Sequence, residues 1–168
     1  MSKSNQNKNG KELTIIKIFD VPREIVWKAW TDPERFMRWW GPKGFTSPVC
    51  KIDLRVGGGY LNCMRSPEGQ DFWSKGVFRE IVAPERLTMT DSFADEHGNM
   101  VPATHYGLSL DFPLEMLITV TLENLEGKTK LTLKHSGIDG INATDRRNMQ
   151  QGWDQSLDKL AAYVVKVG

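Results

Sequence analysis

The sequence predicts an α+β fold in which a curved antiparallel sheet of about six to seven strands wraps a long C-terminal helix, with two short helices following the first strand. Three observations lead there. Short β-rich runs separated by Gly- and Pro-containing turns fill the middle of the chain. The last segment carries a helical stripe, Met149, Trp153, Leu157, Leu160 and Val164, of about twenty residues. An antiparallel sheet with one apolar face must have that face covered, and this helix is the element large enough to cover it.

The elements follow in order. Residues 1–11 are rich in Asn, Lys and Ser, lack an apolar residue after Met1 and read as a disordered polar tail before a single domain over 12–168. Leu13 to Phe19 is a strand, ended by Asp20-Val21-Pro22, where proline suits the start of a helix. Ile25, Val26, Ala29 and Trp30 then recur at helical steps. Thr31-Asp32-Pro33-Glu34 restarts the pattern for a short second helix carrying Phe36, Met37, Trp39 and Trp40, which stops at Gly41-Pro42-Lys43-Gly44.

A meander follows: strands at Val49–Val56, Tyr60–Arg65, Phe72–Val82 and Leu87–Phe93, joined by turns at Gly57-Gly58-Gly59, Pro67-Glu68-Gly69 and Ala83-Pro84-Glu85. Asp95 to Pro113 is a long loop of the kind that tends to carry function. Strands resume at Met116–Asn124 and Lys130–His135 around a tight Glu126-Gly127 turn, and Thr144-Asp145 can cap the final helix.

Composition excludes several function classes. With 22 basic and 21 acidic residues among 168, the formal net charge is +1, so no global field draws the chain to nucleic acid or an anionic membrane. The apolar runs are too short to span a bilayer and the N-terminus has no secretory pattern, which points to the cytoplasm. Cys50 and Cys63 fall on successive strands where a suitable register would bring them together; the plainer reading is two reduced thiols. His97, His105 and His135 lack metal-site spacing, Gly57-Gly58-Gly59 is not followed by the residues of a phosphate loop, and no serine sits in a nucleophile elbow. No cofactor or metal is expected.

Parity along the strands selects the candidate site residues. In the strand from Tyr60, period two puts Tyr60, Asn62 and Met64 on one face and Leu61, Cys63 and Arg65 on the other, and Arg65 argues that its own face meets water. Asn62 then points inward, either as a ligand contact or as a satisfied structural amide. Leu87, Met89, Asp91 and Phe93 share a face, which sets Asp91 among apolar neighbours; His135 follows Leu131 and Leu133 on the apolar parity. Tyr60, Asp91 and His135 are the candidates for acid–base chemistry, provided they lie within hydrogen-bond reach of each other.

Walls for an apolar cavity are expected from Trp39, Trp40, Phe45, Trp73, Phe78 and Met89. Trp153 and Leu157 are expected on its floor or in the core behind it, with Tyr60, Asn62, Met64 and Phe93 completing the set. Gly152 interrupts the final helix at a cost of about 1 kcal/mol relative to alanine, which suggests a close approach to the sheet opposite Gly76.

Several words in this order carry a resemblance: Phe19 to Trp27, Thr31-Asp32-Pro33-Glu34, Trp39-Trp40-Gly41-Pro42, Asp53 to Gly58, Gly76 to Ile81, Pro84-Glu85-Arg86-Leu87, and Gly152 to Leu160. Together they resemble the bacterial family similar to the activator of heat-shock-protein-ninety ATPase, in the START-like, polyketide-cyclase-like superfamily, and they cover nearly the whole chain after residue 12. The resemblance implies a helix-grip fold with a deep cavity between sheet and final helix, and a small apolar or aromatic, lipid- or polyketide-like ligand. It leaves open a cofactor-independent cyclase, dehydratase or hydrolase-like enzyme, and a protein-interaction or co-chaperone-like module, with a homodimer also compatible. The chaperone activator has a separate N-terminal domain where this chain has a short polar tail, which argues against a chaperone partner.

Overall fold

A computed structural model describes residues 12–167, so the expected tail at 1–11 lies outside the described residues. β1 (Glu12–Phe19) leads into α1 (Arg23–Thr31) and the single turn α2 (Pro33–Phe36). β2 (Thr46–Ile52), β3 (Gly59–Arg65), β4 (Asp71–Val82) and β5 (Arg86–Ala94) form the meander. β6 (Met116–Leu125), β7 (Lys128–Ser136) and α3 (Ala143–Val167) complete the fold.

The seven strands form one antiparallel sheet in the order β1-β7-β6-β5-β4-β3-β2. From β2 to β7 consecutive strands pair in sequence order, through short connections except for the long segment between β5 and β6, and only β1 departs from that order, crossing to pair with β7. At the β6–β7 turn, Glu126 and Gly127 have φ of 52° and 88°, the paired left-handed residues that match a hairpin to the twist of its strands.

The concave face holds α3, whose buried residues Trp153, Leu157, Leu160 and Val164 meet Leu13, Leu131 and Leu133 in one core. The helix is longer than its stripe predicted, at 25 residues. Its cap is Asn142, whose Oδ1 accepts from the Asp145 N–H at 2.8 Å while its Nδ2 donates to Asp145 Oδ2 at 2.9 Å; Thr144 lies inside the first turn.

α1 and α2 close one end through an aromatic cluster. Trp30 lies edge-on to Trp39 at 4.9 Å between ring centroids, Phe36 stacks on Trp40 at 4.8 Å, and Trp40 meets Trp153 of α3 at 5.3 Å. Trp39 is fully buried and its Nε1–H donates to the Ala29 carbonyl at 2.9 Å, so it is a core residue and not the cavity wall expected of it. Of the two places open to Leu157, it takes the core, fully buried against the strands, and does not line the cavity.

Two expectations about faces are corrected. Cys63 is fully buried although Arg65 on its face is exposed, because the chain after β5 folds back over that surface: Ala94 bridges Met100, and Lys75 Nζ donates to the Gly98 carbonyl at 2.8 Å. The cysteines do not approach as a pair, since Cys50 is in register with Asn62 and Cys63 with Val49, which sends the two thiols to opposite faces.

Gly152 does not face Gly76. A Cβ at Gly152 would stand 3.7 Å from Pro42 Cγ, an ordinary contact, whereas one at Gly76 would stand 1.9 Å from the Thr90 carbonyl oxygen and 2.4 Å from the Tyr60 ring. Gly76→Ala should therefore destabilise the fold by about 2–4 kcal/mol through overpacking and lost hydrogen bonds. Gly152→Ala should be neutral or stabilising by up to about 1 kcal/mol from helix propensity. Urea denaturation of both variants checks the contrast, and equal effects would contradict it.

Candidate functional site

Between the concave sheet and α3 lies an open cavity of about 410 Å³, within the size range of ligand pockets. A second, inner pocket of about 30 Å³, room for a single water, lies beside it. Trp40, Ser74, Asp91 and Trp153 line both.

The lining of the larger cavity is predominantly apolar, with Phe45 just before β2, Met64 of β3, Phe72 of β4, Phe93 of β5, Phe112 of the long loop and Met149 of α3. No lysine or arginine lines it, and its two carboxylates are Asp91 and Asp145. Among the described residues no group of three or more His, Cys, Asp and Glu is placed to hold a metal ion, and no helix is long and apolar enough to cross a membrane.

The polar centre is built by four strands and the helix. Tyr60 is in register with Gly76, and because that position has no side chain, the Tyr60 ring crosses β4 to reach β5. There its hydroxyl lies 2.8 Å from the Thr90 carbonyl oxygen and 3.2 Å from Asp91 Oδ1. Thr90 Oγ1 accepts from the Val77 N–H at 2.8 Å, so side chains supply bonds that the ladder between β4 and β5 would otherwise make.

On the other side of Asp91, its Oδ2 stands 3.5 Å from His135 Nε2 without a direct hydrogen bond between them. The opposite ring nitrogen, Nδ1 of His135, accepts from Trp153 Nε1–H at 3.0 Å. Accepting at Nδ1 fixes the neutral tautomer, in which the proton sits on Nε2. The chain Trp153, His135, Asp91, Tyr60 is thus continuous apart from the gap between His135 and Asp91.

Burial sets the charge states. It pushes the Asp91 carboxyl up to about 6 against the opposing hydrogen bond from Tyr60, and it pushes His135 down to about 4. The Tyr60 hydroxyl is held well above its ordinary value by burial and by Asp91. Cys50, which lines the inner pocket, is pushed up to about 12 by burial and by Asp32, so its thiol is inert at neutral pH.

Of the residues expected at the site, Tyr60, Asn62, Phe78 and Met89 line the inner pocket. Phe45, Met64, Trp73, Phe93 and His135 line the larger one, and Trp40, Asp91 and Trp153 line both. Asn62 Oδ1 accepts from Ser74 Oγ at 2.7 Å, which satisfies part of that amide within the protein. Trp73 has Cys63 as its register partner, so its parity is opposite to that of Phe72, Ser74 and Phe78.

Sequence reasoning missed Ser74 and Phe72, which share the inward parity of Phe78 and were readable from it. It also missed Lys159, whose Nζ donates to the carbonyls of Gly41 and Phe45 at 3.0 Å each and of Pro42 at 3.3 Å. That ammonium, lowered below its ordinary value by burial, holds the segment from Trp40 to Phe45 at the cavity mouth.

The comparisons with known proteins bear on the family and the fold. Residues 20–165 match the family described as Activator of Hsp90 ATPase homolog 1-like protein. A crystal structure of a protein from Chromobacterium violaceum is 31% identical, with 92% of this chain and 97% of that chain covered and a TM-score of 0.75. A solution structure from Arthrobacter aurescens is 28% identical over 92% of this chain and 86% of that chain, with a TM-score of 0.79. No curated protein matches the sequence.

The two displaced titrations make opposed contributions to stability. The raised Asp91 carboxyl favours the folded state below its ordinary range near 3.8, and this is lost as pH rises through about 6. The depressed His135 favours it above the ordinary value of 6.5, and this is lost as pH falls through about 4. At about 1.4 kcal/mol per unit, each amounts to about 3 kcal/mol, and they nearly cancel. Asp91→Asn should remove one side of the balance. Its stability relative to the parent should improve by about 3 kcal/mol between pH 4 and 6.5, measured by urea denaturation; parallel profiles would contradict the assignment.

Proposed function

The chain belongs to the Activator of Hsp90 ATPase homolog 1-like family, within the START-like superfamily, and on that premise we propose that it is a small-molecule-binding domain. Its ligand is apolar or aromatic, of lipid- or polyketide-like character. The observation that carries this reading is the open cavity of about 410 Å³ between sheet and α3. A core that served stability alone would be packed to crystal-like density, with few voids larger than a water. Here the aromatic and methionine side chains on either side of the space leave it unfilled. Trp40, Phe45, Met64, Phe93 and Trp153 form the ligand contacts, and α3 forms one wall.

A second reading is favoured by one specific observation. Asp91, raised to about 6, borders both cavities, and a carboxylate poised near neutrality is suited to taking a proton from a bound substrate without a cofactor. In that case turnover would follow a pH profile with an inflection near 6, and Asp91→Asn would abolish turnover while binding persisted.

Binding is tested with a neutral naphthylamine fluorophore titrated into the protein. Saturable, one-to-one enhancement is expected, and Gly152→Phe, which directs a ring toward Pro42 at the mouth, should weaken it by about tenfold or more. Native mass spectrometry of protein purified from its own host should reveal a co-purified apolar species. Absence of saturable binding would overturn the proposal.

A further inference from the structure

The polar groups of the cavity go beyond a general apolar site and define which ligand chemistry it accepts. His135 is 4% exposed, and its Nε2 has no hydrogen-bond partner within the protein. Because Nδ1 is occupied as an acceptor by Trp153 Nε1–H, Nε2 carries the ring proton and is a donor. Asp91 Oδ2 stands 3.5 Å from it without forming the bond. A buried donor left in this state is costly, and a group that completes it recovers that cost.

An oxygen about 2.8 Å from each atom would close a triangle over this gap, and because Nε2 is itself buried, seating that oxygen takes a small parting of the two side chains. The chemistry of that oxygen is constrained from both sides. It must accept from His135 Nε2–H and donate to the Asp91 carboxylate, which a hydroxyl does and a carbonyl or a carboxylate does not. An anionic ligand is further disfavoured because the lining of the larger cavity holds two carboxylates, Asp91 and Asp145, and no lysine or arginine.

Resting on the binding reading above, we infer that the cavity selects a neutral, hydroxyl-bearing apolar molecule, an alcohol or a phenol, whose hydroxyl bridges His135 Nε2 and Asp91 Oδ2 while its body lies against Trp40, Phe93 and Trp153. Asp91 is ionised at neutral pH although raised to about 6, and His135, lowered to about 4, is neutral, which supplies the acceptor and the donor that the bridge requires. Tyr60 steadies the carboxylate from its other oxygen at 3.2 Å, leaving Oδ2 for the ligand.

The test compares four probes of one shape at neutral pH by quenching of tryptophan fluorescence: β-naphthol, naphthalene, methyl β-naphthyl ketone and β-naphthoate. β-Naphthol should bind about tenfold or more tighter than naphthalene, as expected for a hydrogen bond to a charged group, with the ketone and the naphthoate no tighter than naphthalene. In Asp91→Leu, which leaves Tyr60 its bond to Thr90, the naphthol preference should vanish while naphthalene still binds; near-ultraviolet circular dichroism confirms the fold. Equal binding of naphthol and naphthalene to the parent protein, or tighter binding of the ketone or naphthoate, would overturn the hydroxyl inference and leave the cavity reading standing. Failure of all four to bind would overturn both.

Discussion

The missing side chain at Gly76 is the constraint on which the polar centre depends. Any Cβ there would overlap the Thr90 carbonyl oxygen and the Tyr60 ring, at 1.9 and 2.4 Å. With hydrogen in its place, Tyr60 lies flat across β4 and reaches a strand two positions away in the sheet. Its hydroxyl then meets the Thr90 carbonyl and Asp91 together, and the carboxylate is held from the sheet side while its second oxygen turns toward His135. A glycine in a strand interior is unfavourable by itself. Covering it with an aromatic ring recovers packing and converts a weak point of the sheet into the support of a buried carboxylate.

That carboxylate is an uncomfortable group for an apolar face. Its side chain is 19% exposed and receives one side-chain hydrogen bond, from a tyrosine whose single proton is also within reach of a backbone carbonyl. A group selected for stability would be apolar here, as Met89 and Phe93 are on the same face of the same strand. The histidine beside it is equally under-satisfied, with one ring nitrogen bonded and the other not. Two adjacent polar side chains, complementary in sign of hydrogen bond and 3.5 Å apart, thus lie at the edge of an open apolar cavity. Leaving them incomplete has a physical cost that the fold alone does not require.

Much of this was legible in the sequence because strand parity is a strict rule. Period two placed Tyr60, Asn62, Asp91 and His135 on inward faces, and the long stripe of α3 identified the element that covers them. The depth of a residue behind the inward face has no such signature, so Trp39 was expected at the cavity and Leu157 there or in the core behind it, and both lie fully buried in the core. Nor does parity say which outer faces a loop will cover, as at Cys63, beneath the segment that returns after Ala94. Gly152 and Gly76 looked like one feature and are two. The first adjoins Pro42 at the mouth, the second admits a tyrosine ring, and only the paired register of β3 and β4 separates them.

Lys159 shows why access to the cavity was beyond sequence reasoning. A lysine on a helix ordinarily reads as a solvated residue, yet this one donates to carbonyls of Gly41, Pro42 and Phe45, with Trp40 at 3.5 Å. Three ammonium protons shared among four carbonyls hold the segment without fixing any single bond. Gln155 adds a second tie, its Oε1 accepting from the Lys43 N–H at 3.1 Å. The helix that forms one wall of the cavity therefore also holds the segment at its mouth, and both ties are hydrogen bonds to exchangeable backbone groups. Apolar packing would have sealed the mouth against the same aromatic residues that line it. Polar ties at this edge hold the chain that carries Trp40 and Phe45, both of which line the cavity, against α3.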